Sequence, residues 1–135
     1  LMLEAHKEIP KHIKEITEAM NEPTIWESFC TYLNTKGYEI TAERVNERGL
    51  IFKPTEKAQN VLIEVMKNDP EAALVCEMLI DFDEGLQEWR YRHVKMVQRT
   101  IGTKKGTGGS GGAAYLQKTL NHNIFPDLWD IRTSF

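Results

Sequence analysis

The chain is short of almost everything that would commit it to an extreme environment. Of its 135 residues only two are cysteine, Cys30 and Cys76, with no Cys-x-x-Cys pattern. They cannot frame a small disulfide scaffold or a zinc knuckle, and they read as reduced, partly buried thiols of a cytoplasmic protein. No apolar run approaches the ~20 residues of a membrane-spanning helix. No sign of charge dominates: 17 Lys and Arg stand against 20 Asp and Glu, for a net −3 and a pI near 5.8. That balance argues against nucleic acid and anionic membranes as partners. The opening LMLEAHKEIP has neither the basic nor the apolar stretch of a secretory signal. HExxH, Cys/His zinc spacing and GxSxG are missing too. What remains is 41% hydrophobic, ordinary for one globular domain or part of one. The start at Leu1 and the stop at Phe135 suggest a fragment or an N-terminally trimmed chain.

Strand signals and internal repeats are also lacking, and the pattern that is present is helical. Pro10 suits a first turn, after which Ile13, Ile16 and Met20 recur at helical spacing. Asn21-Glu22-Pro23 breaks that helix. Thr24 and Glu27 then form a capping box, ahead of a buried face of Trp26, Phe29, Cys30 and Leu33. Gly37 is a natural stop. Residues 38–53 read as mostly loop. Pro54-Thr55 opens a third helix, with Val61, Leu62, Val65 and Met66 as its core. Asp69-Pro70-Glu71 is a cap, a first-turn proline and an acid at the positive helix end. It starts the longest element, a helix over about 70–102. Its apolar stripe is Val75, Leu79, Phe82, Leu86, Trp89, His93, Met96/Val97 and Thr100, in steps of three and four. A loop follows to Gly112, then a short helix over 113–120 and a last segment from Phe125-Pro126 through Trp129 and Ile131.

Two features of this plan bear chemistry. His93 lies on the apolar stripe with Trp89 one turn before it and Val97 one turn after. A core histidine bonded to a carbonyl is one reading; an axial ligand of haem iron is the other. Haem needs an apolar slot and cations for its propionates. Between Gln87 and Gly106 there are six cations, Arg90, Arg92, Lys95, Arg99, Lys104 and Lys105, against the single acid Glu88. A solvated basic helix face would look the same. A non-haem metal would want further ligands one turn away, where Trp89 and Val97 stand instead. His6 and His12 read as solvated, and His122 as a helix end. The second feature is the glycine loop, where Gly106-Thr107-Gly108-Gly109-Ser110-Gly111-Gly112 holds five of the chain's nine glycines. A phosphate loop and a dinucleotide fingerprint both fail for want of their flanking residues. A flexible linker and an active-site flap remain equally open.

The residues Arg92-His93, Ile101-Gly102, Gly106-Thr107-Gly108-Gly109-Ser110 and Tyr115-Leu116 resemble the tryptophan 2,3-dioxygenase family. So do Pro23-Thr-Ile-Trp-Glu-Ser-Phe-Cys-Thr-Tyr-Leu and the final Phe125-Pro-Asp-Leu-Trp-Asp-Ile-Arg-Thr-Ser. The likeness runs through essentially the whole chain and matches the family's C-terminal half. It implies an all-α haem dioxygenase fold, here the C-terminal portion of a single catalytic domain, with a flap over 103–112. It implies that the whole protein opens the indole ring of L-tryptophan with O2 to give N-formylkynurenine, the first step of tryptophan breakdown by the kynurenine route.

The resemblance makes His93 the proximal haem ligand and sets Val97 against the haem face. It puts Thr107, with Gly106 and Gly108, at the ammonium and carboxylate end of the substrate, on a loop that orders when substrate binds. It assigns no catalytic residue within this chain. Family members are usually homotetramers. Gly111 stands where the family often has a second serine, which loosens the flap. The family's N-terminal half carries the groups on the opposite side of the haem, including an arginine for the substrate carboxylate. The 135-residue chain alone is therefore expected to be inactive, and oligomeric, domain-swapped or marginally stable. Two alternatives stand beside this: a related haem enzyme acting on another aromatic amino acid or indole, and a non-catalytic helical interaction module.

Overall fold

A computed structural model describes residues 10–45, 51–107, 109 and 111–135. Among them the architecture is all-α: α1 Pro10–Asn21, α2 Ile25–Thr35, α3 Glu56–Asn68, α4 Pro70–Ile101, α5 Ala113–Lys118, α6 Pro126–Asp130 and a closing 3-10 turn Ile131–Ser134. The only pairing of extended backbone among the described residues is an isolated antiparallel bridge, Arg44 to Phe52. No helix of the described residues is long and apolar enough to cross a membrane. The chain divides into two compact units, residues 22–83 with 123–135, and residues 1–21 with 84–122.

The first unit holds the large core. In α2 the capping box forms as the sequence predicts: the Glu27 N–H donates to Thr24 Oγ1 at 3.1 Å and the Thr24 N–H donates to Glu27 Oε2 at 2.8 Å. The helix ends at Gly37, whose φ of +94° no side-chain-bearing residue adopts cheaply. The Tyr38 N–H reaches the Leu33 carbonyl and the Gly37 N–H the Asn34 carbonyl, so both last carbonyls are satisfied in a Schellman turn. Thr55 caps α3 through the Ala58 N–H, and Asp69 caps α4 through the Ala72 N–H at 3.0 Å. Trp26, Phe29, Cys30 and Leu33 of α2 meet Ala58, Leu62 and Val65 of α3, and Phe125, Leu128 and Ile131 from the end of the chain. Val61 and Met66, expected in the core, pack at its edge. Cys30 and Cys76 are fully buried rather than partly so.

The face that α4 contributes to this core departs from expectation. The buried residues are Ala72, Cys76, Ile80 and Asp83, while Val75 and Leu79 are half-buried and Phe82 is 47% exposed. The buried stripe is rotated by roughly 90° from the one drawn through the largest apolar side chains. The reason lies in the partners. Small Ala72 and Cys76 admit close packing of the rest of the core, and Asp83 must face inward to accept three N–H groups (Ile124, Phe125 and Trp129).

The second unit is leaner. Among its described residues the buried apolar side chains are Val94 and Ala113. Helix α1 carries exposed Lys11–Glu15 and Lys14–Glu18 pairs at 3.9 Å, worth a few tenths of a kcal/mol each. Its Ile13, Ile16 and Met20 are half-buried, and so is His12, which the sequence pattern gives to solvent. His6 and Leu50 lie outside the described residues.

Candidate functional site

The second half of α4, α5 and the glycine-rich loop between them carry the candidate site residues His93, Val97, Gly106 and Thr107. His93 is half-buried, and its imidazole lies flat on the Trp89 indole one turn earlier, with ring centroids 5.0 Å apart and planes within 6°. Among the described residues no hydrogen bond ties the ring nitrogens of His93, whereas a core histidine would need its polar atoms paired. Val94, the next residue, is buried, and Val97, one turn on, is half-buried. A cavity of about 280 Å³ opens beside the imidazole, lined by Trp89, Arg90, His93 and Val94 from α4 and by Leu116, Thr119 and His122. Trp89 itself is 59% exposed. The stripe around His93 is thus apolar in composition but open on one side.

The basic run divides into separate tasks. Arg90 Nη1 donates to the carbonyls of Thr119, at 3.3 Å, and His122, at 2.6 Å. Lys95 donates to Gln98 and sits over the Tyr91 ring. Arg92, Lys95 and Arg99 line a second, shallow cavity with Tyr91, Met96 and Thr100. Cations near the last turns of a helix are favoured by its dipole, so part of this charge is accounted for by α4 itself. Among the described residues no group of three or more His, Cys, Asp or Glu is placed to hold a metal ion.

The glycine-rich segment is a folded loop with a closed neck. Helix α4 ends at Gly102, φ +60°, whose N–H donates to the Gln98 carbonyl at 3.0 Å. A turn follows, from the Lys104 N–H to the Ile101 carbonyl, and a second is closed by the Gly109 N–H on the Gly106 carbonyl at 3.2 Å. At the far side Gly112 is buried, with φ +64°, and a Cβ there would stand 2.5 Å from the Lys104 carbonyl oxygen and 3.6 Å from the Gly106 nitrogen. Only glycine lets the two legs come this close. Thr107 stands exposed between the legs, with Gly106 half-buried before it. Gly108 and Ser110 lie outside the described residues. A freely jointed linker would not carry these neck contacts.

Two structural roles were not legible in the sequence. Arg90 counted there only as charge, and Gly112 only as one glycine among five. The contacts that single them out join residues 6 to 32 positions apart and leave no local pattern.

An all-helical unit with a histidine that bonds to none of the described residues on one long helix, followed by a closed glycine loop bearing a threonine, narrows the class of protein considerably. Comparison with known proteins agrees with it. The profile of the tryptophan 2,3-dioxygenase family matches residues 1–135. A tryptophan 2,3-dioxygenase of Anaeromyxobacter dehalogenans is 53% identical over 117 residues, covering 87% of this chain and 44% of the relative. One from Herpetosiphon aurantiacus is 49% identical over 127 residues, covering 92% and 47%. The chain belongs to the tryptophan 2,3-dioxygenase family. It spans about half the length of the curated relatives it matches.

Proposed function

We propose that the protein this chain represents is a haem-dependent dioxygenase that opens the indole ring of L-tryptophan with O2, giving N-formylkynurenine, and that His93 is the proximal ligand. The observation that carries the reading is the His93 imidazole, half-buried on an apolar helix face and free of hydrogen bonds among the described residues. Family membership supports it.

The residues present fit a haem. A neutral imidazole is a suitable axial donor. The flat stack on Trp89 fixes the ring plane, and Val97 offers an apolar surface one turn away. Of the helix's cations, Arg90 lines the cavity beside His93, whereas Arg92, Lys95 and Arg99 face the other cavity and add positive charge to the same helix. Bound haem would supply the oxygen chemistry; the protein supplies orientation and a water-poor pocket. Thr107, between Gly106 and Gly108, carries a hydroxyl suited to the ammonium and carboxylate of an amino acid. The glycine loop closes over that end and sheds water when it is filled. The remaining walls belong to the N-terminal half found in the longer relatives. The 135-residue chain alone is inactive on this reading, and the complete protein is a cytoplasmic homotetramer.

The test is His93→Ala in the complete protein. We expect the Soret band and tryptophan turnover both to disappear, with helicity by circular dichroism retained. An unchanged haem spectrum and unchanged turnover would overturn the assignment.

A further inference from the structure

We propose that Arg90 is a positioning residue, which fixes the far end of α5 and through it the neck of the glycine-rich loop, so that Thr107 meets an amino-acid substrate in a defined place. The inference rests on the reading of Thr107 given above. The Arg90 guanidinium donates to the carbonyls of Thr119 and His122, at 3.3 and 2.6 Å. Thr119 is the C-cap of α5 and His122 lies in the turn after it. Carbonyls at a helix end have no intrahelical partner, and a cation there also meets the negative pole of the helix. A six-residue helix does not hold itself together in water, so an external tie of this kind decides whether α5 keeps its place.

The other end of α5 is the loop. Ala113 begins the helix directly after Gly112, which is wedged against the Lys104 carbonyl. Among the described residues α5 has no N-cap side-chain bond of its own, so beside the packing of Ala113 the polar ties on its position are the loop neck at one end and Arg90 at the other. Arg90 precedes His93 by three residues on α4. The clamp therefore refers the loop to the same rigid helix that holds the imidazole, and couples the place of Thr107 to that of His93. Among the described residues no hydrogen bond joins Arg90 to either, and its part is to position rather than to react.

The experiment uses the complete protein with Arg90→Gln and Arg90→Lys, read by steady-state kinetics, the haem spectrum and hydrogen exchange. Gln is too short to span to either carbonyl, while Lys keeps the charge and several donors. We expect Arg90→Gln to raise KM for tryptophan about tenfold with kcat within about twofold of wild type, the signature of lost binding rather than lost chemistry. Its haem band should be unchanged and the amides of 103–122 should exchange faster. Arg90→Lys should recover most of the KM. Wild-type KM in Arg90→Gln, with or without faster exchange, overturns the proposal. So does a joint loss of haem, kcat and thermal stability that Arg90→Lys does not restore. Should the wild-type protein fail to turn over tryptophan, the reading of Thr107 fails by itself. Exchange at 103–122 then still decides on the Arg90 clamp, carrying it if faster in Arg90→Gln and sinking it if unchanged.

Discussion

The indole Nε1–H of Trp129 donates to Oδ2 of Asp83 at 2.9 Å, and the same carboxylate oxygen accepts the N–H groups of Ile124 and Phe125 at 2.8 and 3.0 Å. Asp83 is fully buried, so these three donors are what make its burial tolerable. The bond set ties the last segment of the chain to α4. Asp83→Ala strands all three donors and should cost about 3 kcal/mol or more. Asp83→Asn keeps an acceptor but loses the charge-assisted strength, and should cost about half as much. Urea unfolding followed by tryptophan fluorescence measures both. Equal stability of wild type and Asp83→Ala would show that the carboxylate does not hold the segment.

The pair Glu27–Arg44 makes stability depend on acid. Arg44 Nε and Nη2 each donate at 2.8 Å, one to each oxygen of Glu27. The Arg44 guanidinium first, then the Thr24 N–H, holds the Glu27 carboxyl well down, at about 2 against an ordinary 4.5. A depressed carboxyl stabilises the fold above its unfolded value, and that contribution is lost as pH falls through the folded one. The stability gap between wild type and Arg44→Met should therefore be full at pH 6 and shrink across the window from about 4.5 to about 2. Thermal melts at stepped pH read it; a gap that stays constant through that window would remove Glu27 as its source.

The contrast between these two pairs explains what the sequence could and could not show. Thr24, Glu27 and Gly37 were legible because a cap and a stop are made by residues three to five apart. The length of α4 was legible because its apolar spacing persists through about seven turns, from Val75 to Thr100. Which of its faces is buried was not, because Asp83 finds its donors 41 to 46 residues further on. For the same reason the row of large apolar residues reads as the buried one, although Phe82 and Trp89 in it are both exposed. In the site, His93 stood out by its company on one helix face. The closure of the glycine loop did not, since composition gives no account of which glycine meets which carbonyl.

The two cysteines should be chemically silent in the folded chain. Burial pushes both the Cys30 and Cys76 thiols up to about 12, and both side chains are buried in the core. Only the thiolate is nucleophilic. Modification by a disulfide reagent at pH 8 should therefore follow the global unfolding equilibrium, with both sites reacting together in denaturant and neither in buffer. Rapid reaction of one thiol in buffer would mean that its part of the core opens locally.

Thr107→Ala tests the substrate end of the site independently of haem. If the hydroxyl meets the amino-acid group of tryptophan, its removal in the complete protein should raise KM several-fold, corresponding to about 1–2 kcal/mol for one hydrogen bond to a charged group. The haem band should not move, since His93 lies on a different element. Unaltered KM for tryptophan would detach Thr107 from the substrate.

The neck of the loop gives the sharpest comparison, because two of its glycines both have positive φ and differ in surroundings. Gly109 and Gly112 have φ of +77° and +64°. A Cβ on Gly109 meets nothing within 4 Å, whereas one on Gly112 would meet the Lys104 carbonyl oxygen at 2.5 Å. Alanine at either position is strained by the positive φ, which side-chain-bearing residues rarely adopt. At Gly112 the clash comes in addition, with main chain that cannot swing aside, and the legs of the loop must part. Trypsin cleavage after the exposed Lys104 and Lys105 reads this directly, since a parted loop fits a protease that a closed one resists. Cleavage should be much faster in Gly112→Ala than in Gly109→Ala, and KM for tryptophan should rise in the same order. Equal cleavage in the two variants would mean that the neck is not what holds the loop.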